Sequence, residues 1–444
     1  MSYLSAHHGY QLLIDRLNRY PQGAPHSELF MKILALLFTE KEARLVSQVP
    51  FGPFSSARMA LLWQVREVEA ARILDGLADR ALMLDLERDN GEKLYLLPPP
   101  LHGFLKYALM RVKGDASQEA LSELLKQYLN VEDEFVKSLL GVGSTRLGRI
   151  MVDEEQVPSQ QVTRVFDYER SSAAIRAARA IAVGTCACRH RQINLGRGCN
   201  AELETCLVFD SVADSLVRHG NARQIDAPEG LDILQRSREQ GLVQFAENTQ
   251  NGISFLCNCC SCCCDHLAAA RKFCHLRPVA TSNFLARIKR DQCSGCGKCV
   301  DACPVEAIGL VSAHDPLYRW QRRAVLAPAR CLGCGVCVRA CGDAALFLVP
   351  RAERLITPVD SAHRAVQMAI EEGKLQHLVW DNQALTSHRA LAAILGVILR
   401  LPSLQRSLAG SQLGSRYVDA LVRRQATRVE RELAMVERAA RLRD

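Results

Sequence analysis

Apolar residues recur at helical spacing through residues 28–49 (ELFMKILALLFTEKEARLVSQV), and Pro50 and Gly52 close that run. Ser55 or Ser56 is placed to cap a short helix ending near Trp63. A further helix is predicted over Arg66–Arg80, with Val68, Ala71, Leu74, Leu77 and Ala78 on one face. Two segments of strand character, Leu82–Glu87 and Glu92–Leu97, then flank Asp89-Asn90-Gly91, the turn chemistry of a β-hairpin. Residues 101–140 return to helical spacing.

Helices followed by a hairpin, closed by Pro98-Pro99-Pro100, resemble a winged-helix module in the order of their elements. Farther on, an alanine-rich helix (Ser171–Ala180) runs into a short strand ending at Cys186. Helices near Asp210–His219 and Asp226–Gln240 are each followed by a glycine, Gly220 and Gly241. A strand at Ile253–Leu256 leads into a dense group of cysteines. Beyond Pro358 the pattern is helical, and residues 361–444 carry 13 Lys and Arg against 8 Asp and Glu. The apolar stretch Ala390–Leu399 lies between Arg389 and Arg400 and spans about half the length a bilayer requires, so no membrane span is expected. Arg424, Arg428 and Arg431 form a cationic stripe on a last helix, near residues 417–442, that would suit a docking role.

These patterns give a multidomain α+β chain. Its expected parts are a winged-helix-like module (1–110), a helical linker with a cysteine-rich α/β domain (111–290), a repeated cysteine unit (291–350) and a helical C-terminal docking region (351–444). The chain has 444 residues, 48% of them hydrophobic and 23% charged, which excludes a disordered chain. The net charge of +8 is modest for this length and does not by itself imply nucleic-acid binding. The 19 cysteines change the picture, because all of them lie between Cys186 and Cys341. The first twenty residues show no basic segment ahead of an apolar run. The expectation is therefore a reducing cytoplasm and metal-bound thiolates rather than disulfides.

Cys293-x2-Cys296-x2-Cys299-x3-Cys303-Pro304 has the spacing of a cluster-binding run, and it recurs as Cys331-x2-Cys334-x2-Cys337-x3-Cys341 with Gly342 in place of the proline. Gly295, Gly297, Gly333 and Gly335 free the backbone to approach the sulfurs. Over about 55 residues the chain resembles the two-cluster bacterial ferredoxins. That resemblance implies two 4Fe–4S clusters with crossed ligands: Cys293, Cys296, Cys299 and Cys341 on one, and Cys331, Cys334, Cys337 and Cys303 on the other. The insert from His314 to Arg323, with Tyr318 and Trp320 as candidate cluster covers, lengthens the link between the two runs.

Further candidate metal ligands are Cys186, Cys188, Cys199 and Cys206, and then Cys257, Cys259, Cys260, Cys262, Cys263 and Cys264; Cys274 stands apart. Unpaired thiols at this density call for a soft metal. At least one further iron–sulfur cluster is expected there, with ligands from one group or from both. Neighbours such as Cys259 and Cys260 diverge, which favours sharing, a fourth centre or a non-cubane cluster; one zinc ion plus structural thiols is the alternative. Arg189, His190 and Arg191 either tune a cluster or hold an anion, or else are solvated charges. His266 and His275 are read as packed or solvated rather than as ligands.

Taken together, CACRHR, GRGCNAELETC, CNCCSCCC and the two runs resemble a family of multi-cluster 4Fe–4S ferredoxin-type proteins from anaerobic and facultative bacteria. That resemblance bears on cofactor content more than on role; with the two runs as a relay, the first reading of function is single-electron transfer, as a polyferredoxin, to or from partner oxidoreductases. An iron–sulfur reductase with catalysis at the middle cluster is the second reading, and a redox-sensing winged-helix DNA-binding regulator the third. The third is disfavoured because the helix at Arg66–Arg80 sets three Arg against Glu67, Glu69, Asp75 and Asp79. No flavin or nicotinamide site is seen: Gly141-x-Gly143-x4-Gly148 has the wrong spacing for a dinucleotide loop.

Overall fold

Thr39 divides the first long apolar run into two helices, Glu28–Leu37 and Glu40–Val46. Its hydroxyl accepts from the Glu42 amide at 3.2 Å while the Glu42 carboxylate accepts from the Thr39 amide at 2.8 Å. This reciprocal cap starts a second helix where periodicity alone reads one. Ser55 caps the helix Ser56–Trp63, which ends at Gln64 in the left-handed region. The next helix, Glu67–Asp79, buries Ala70, Leu74, Leu77 and Ala78. Val68, expected on that face, is 80% exposed, and Ala70 is buried there rather than Ala71.

The computed structural model describes residues 8–88, 90–111, 116–131, 137, 143–313 and 321–379. Asp89 of the hairpin turn, Gly141, the insert residues 314–320 with Tyr318 and Trp320, and the C-terminal elements near Ala390–Leu399 and 417–442 lie outside the described residues. The chain forms two units. Among the described residues, one takes in those up to Thr145, Asp214–Asn221 and 361–379; the other takes in those of Arg146–Ala213 and Ala222–Asp360. No helix among the described residues is long and apolar enough to cross a membrane.

In the first unit, β1 (Phe54–Ser55), β2 (Leu84–Glu87) and β3 (Lys93–Leu96) form an antiparallel sheet in the order β1-β3-β2. Asp85 is fully buried on β2 and collects charge: Arg218 lies 2.6 Å away, His219 3.2 Å and Lys93 3.3 Å, and the Ser215 hydroxyl donates to it at 2.7 Å. Helices Ser361–Glu371 and Leu375–Val379 join this unit. Glu371 accepts from the amides and hydroxyls of Ser144 and Thr145 at 2.9–3.0 Å.

The second unit is built on a six-stranded antiparallel sheet. Its strands are β4 (Gly148–Ile150), β5 (Ile181–Thr185), β6 (Glu204–Phe209), β7 (Arg223–Ile225), β8 (Val243–Glu247) and β9 (Phe255–Cys259), in the order β4-β8-β9-β6-β5-β7. Side chains alternate across the sheet. Ile181, Val183, Leu207, Phe209, Ala246 and Leu256 pack with Ile175, Ile233 and Leu234 of the helices Ser171–Ala177 and Ala227–Glu239. The opposite face therefore carries Ala182, Cys206, Val208, Phe245, Phe255, Cys257 and Cys259, as the strand registers require. The two cysteine runs follow within two antiparallel ribbons, β10 (Phe284–Ile288) with β13 (Leu346–Pro350) and β11 (Ile308–Ser312) with β12 (Arg322–Leu326).

Candidate metal centres

Each run wraps a short loop and then enters a short helix that carries its third cysteine, Lys298–Ala302 in the first and Val336–Arg339 in the second. Gly297 and Gly335 start those helices at φ +85° and +93°, a conformation that only glycine takes without strain. Gly295 and Gly333 serve a second purpose. A side chain on Gly333 would overlap the Phe284 carbonyl and the Ser282 hydroxyl, and one on Gly295 would overlap the Arg322 carbonyl. The loops thus lie directly against the ribbons that carry them.

The loops enclose two cavities. One is lined by Cys331, Cys334, Cys337 and Cys303, with Ile308, Leu326 and Leu332 around them, and holds about 330 Å³ of space including its open side. The other is lined by Cys293, Cys296, Cys299 and Cys341, with Ala324 and Leu346, and holds about 310 Å³ counted the same way. The last cysteine of each run therefore faces the cavity of the other run. Backbone amides reach the sulfurs: Ala307 N–H donates to Cys303 Sγ at 3.1 Å and Ala324 N–H to Cys293 Sγ at 3.5 Å. Burial pushes the Cys334 thiol up to about 12. Thiols so enclosed ionise only beside a compensating cation, and four cysteine sulfurs with amide donors suit an iron–sulfur cluster. Such a cluster, when bound, takes up and releases electrons.

The middle cysteines divide into two sets at the end of β9. Cys257 and Cys259 share a face of that strand, whereas Cys260 begins a turn closed by a hydrogen bond from the Cys264 amide to the Cys260 carbonyl at 3.3 Å. Cys199, Cys260, Cys262 and Cys263 bring four sulfurs within 4.8 Å of one another. Leu242 and Ala201 pack against this set. In the second set the Cys264 sulfur interacts with both Cys188 and Cys259, and Cys186 with Cys257 and Cys264. Hydrogen bonds from Cys188 and Cys259 hold the Cys264 thiol well below its ordinary range, and they raise the two donors. Each set thus draws on both stretches of sequence. Cys206 lies on the cysteine-bearing face of β6, and Cys274 starts a separate 3-10 turn.

The arginines flanking Cys188 are not solvated charges: Arg189 is 0% exposed and Arg191 1%. They lie on the helix Ala187–Asn194. Arg189 donates to the Asn258 carbonyl at 2.9 Å, to the Thr205 hydroxyl at 3.1 Å and to the Glu202 carbonyl, and it also interacts with Cys186 and Cys260. Arg191 pairs with Asp265, whose other oxygen lies 3.6 Å from Cys188 Sγ. Arg189 Nε and Arg191 Nε and Nη1 are buried without a hydrogen-bond partner. Orphaned cationic donors beside buried thiols fit an anionic metal–thiolate group, which the solvated reading of these residues cannot explain. Asp265 escaped the sequence reading; its signal was its position directly after Cys264 at a helix start. His266 stacks on Phe245 with ring centres 4.5 Å apart, and His275 is exposed.

Residues 292–345 match the 4Fe-4S dicluster domain. No curated protein and no solved structure matches the chain.

Proposed function

We propose that this chain is a polyferredoxin: an iron–sulfur electron-transfer protein passing single electrons between partner oxidoreductases. The observation that carries the reading is the crossed placement of Cys303 and Cys341 in two adjoining thiol-lined cavities within the dicluster domain. Crossing makes each loop a ligand source for both clusters, which holds the two close; the Cys337 thiol is near enough to feel Cys299 of the other cavity. The ligands would be Cys293, Cys296, Cys299 and Cys341 for one cluster and Cys331, Cys334, Cys337 and Cys303 for the other. A further iron–sulfur cluster would be held by the set around Cys264 (Cys186, Cys188, Cys257 and Cys259), with Arg189 and Arg191 offsetting its charge. Burial, amide donors and these arginines are the chain's means of setting potentials.

The reading carries with it a reducing, cytoplasmic setting, in which thiolate-bound clusters persist. It also favours a protein partner over nucleic acid. The helix Glu67–Asp79 sets Arg72 against Glu67, Glu69, Asp75 and Asp79, so its own charge is net acidic. Coulometric reduction under anaerobic conditions tests the function. Reversible uptake of at least two electrons per chain in one-electron steps is expected; uptake of none, with the cysteines reduced and intact, would overturn it.

A further inference from the structure

We infer that Cys199, Cys260, Cys262 and Cys263 form a mononuclear tetrahedral zinc site, separate from every iron–sulfur centre of the chain. The argument is one of scale. Four sulfurs bound to a single zinc ion at about 2.3 Å stand roughly 3.8 Å from one another. Cys199 and Cys260 have their sulfurs 3.7 Å apart, Cys262 and Cys263 3.6 Å apart, and all four lie within 4.8 Å. A cubane instead spreads its cysteine sulfurs over four different irons, each sulfur beyond its own bond, so its ligands stand farther apart. Among the described residues, the four-cysteine sets of the ferredoxin cavities do not close to the shorter spacing.

The local chain explains how neighbouring cysteines meet here. The turn after β9, closed between Cys260 and Cys264, curls Cys260, Cys262 and Cys263 around one point while Cys264 leaves toward the other set. Cys199 completes the shell from a loop 61 residues earlier, which the ion would tie to the end of β9. Leu242 covers the buried sulfurs of Cys260 and Cys263, so the shell is closed on that side, as structural zinc sites are. Four thiolates and one divalent ion leave a double negative charge, and the fully buried Arg189 beside Cys260 offsets part of it.

The inference is independent of the electron-transfer reading and is tested apart from it. The full chain, purified anaerobically, is assayed for zinc, iron and sulfide, and its zinc is examined by X-ray absorption. One zinc per chain with four sulfur neighbours at about 2.3 Å is expected. Cys262→Ser, which alters the exposed member of the set, should lose most of the zinc and leave iron and sulfide unchanged. A wild-type chain without zinc overturns the proposal. So does a loss of iron and sulfide together in Cys262→Ser, which would mark a cluster, and so does a disulfide within this set in the anaerobic protein. A missing zinc would leave the iron of the dicluster domain untouched, so the two readings fail separately.

Discussion

Asp153 accepts two hydrogen bonds from Arg339, from Nη2 at 2.7 Å and from Nε at 3.0 Å, across 186 residues of sequence. Arg339 ends the short helix that carries Cys337, and the Asp153 amide donates to the Cys334 carbonyl at 3.1 Å. The same carboxylate faces Arg238, which also meets Glu154 at 3.0 Å and Glu155 at 3.2 Å. One buried acid thus ties the segment after β4 to the loop carrying two cysteines of the second run.

Asp153→Ala leaves Arg238 buried with fewer counter-charges. Breaking a buried pair costs about 3 kcal/mol at the low end, the end that applies here because Glu154 and Glu155 remain. Hydrogen exchange of the amides in the Cys331–Cys337 loop should quicken by roughly 100-fold if that loop opens locally. Unchanged exchange would mean the link is a surface feature without weight.

Cys303→Ser separates crossed from uncrossed ligation. The variant should lose the same EPR component as Cys334→Ser, although Cys303 belongs to the other run. Loss of the component removed by Cys296→Ser would show that each run ligates its own cluster.

Much of this was legible in the sequence, and the reasons differ by region. The cysteine runs carry fixed spacing and their own glycines, so the runs were legible, whereas the crossed four-cysteine sets came only from the resemblance to two-cluster ferredoxins. The middle cysteines could not be sorted, because partition depends on strand phase: Cys257 and Cys259 share a face only once β9 is known to run through Cys259. Thr39 shows the same limit. Apolar periodicity passes straight through it, and only the Thr-x-x-Glu cap marks the break. Arg189 and Arg191 read as solvated charge or cluster neighbours alike, since burial is a tertiary fact.

Gly333→Ala should cripple the second cavity while Gly342→Ala should not. Gly333 sits at φ +71° against the Phe284 carbonyl, whereas a side chain on Gly342 meets nothing within 4 Å. The left-handed conformation alone costs an alanine about 1–2 kcal/mol, before any overlap. Iron retained after anaerobic purification should fall by up to half of the dicluster content in Gly333→Ala. Equal retention in the two variants would remove the steric argument.

Acid should destabilise the first unit through Asp85. Burial by itself would raise this carboxyl, but hydrogen bonds from Ser215 and Arg218 and the charge of His219 outweigh it and bring the value below the ordinary one. A carboxylate lowered in the folded state contributes stability above its unfolded value, near 3.9, and loses it as pH falls through the folded value. Exchange of the Asp85 amide, which donates to Ser215 Oγ at 3.1 Å, should show its protection flat above about pH 5 once corrected for intrinsic rates. It should then fall below about pH 4, and Asp85→Asn should flatten that acid limb. A limb that persists in the variant would assign it to other groups.

The central claim is that the crossed cysteine sets of residues 292–345 hold two electron-carrying cubanes beside a further cluster. Iron and acid-labile sulfide counts on the anaerobically purified full chain, with EPR of the dithionite-reduced protein, test it most directly. About eight iron and eight sulfide from the dicluster domain, rising to about twelve of each with the further cluster, and a spectrum broadened by interaction between neighbouring reduced clusters are expected. Fewer than about six iron per chain with zinc making up the difference, or a single isolated cluster signal, would contradict the account.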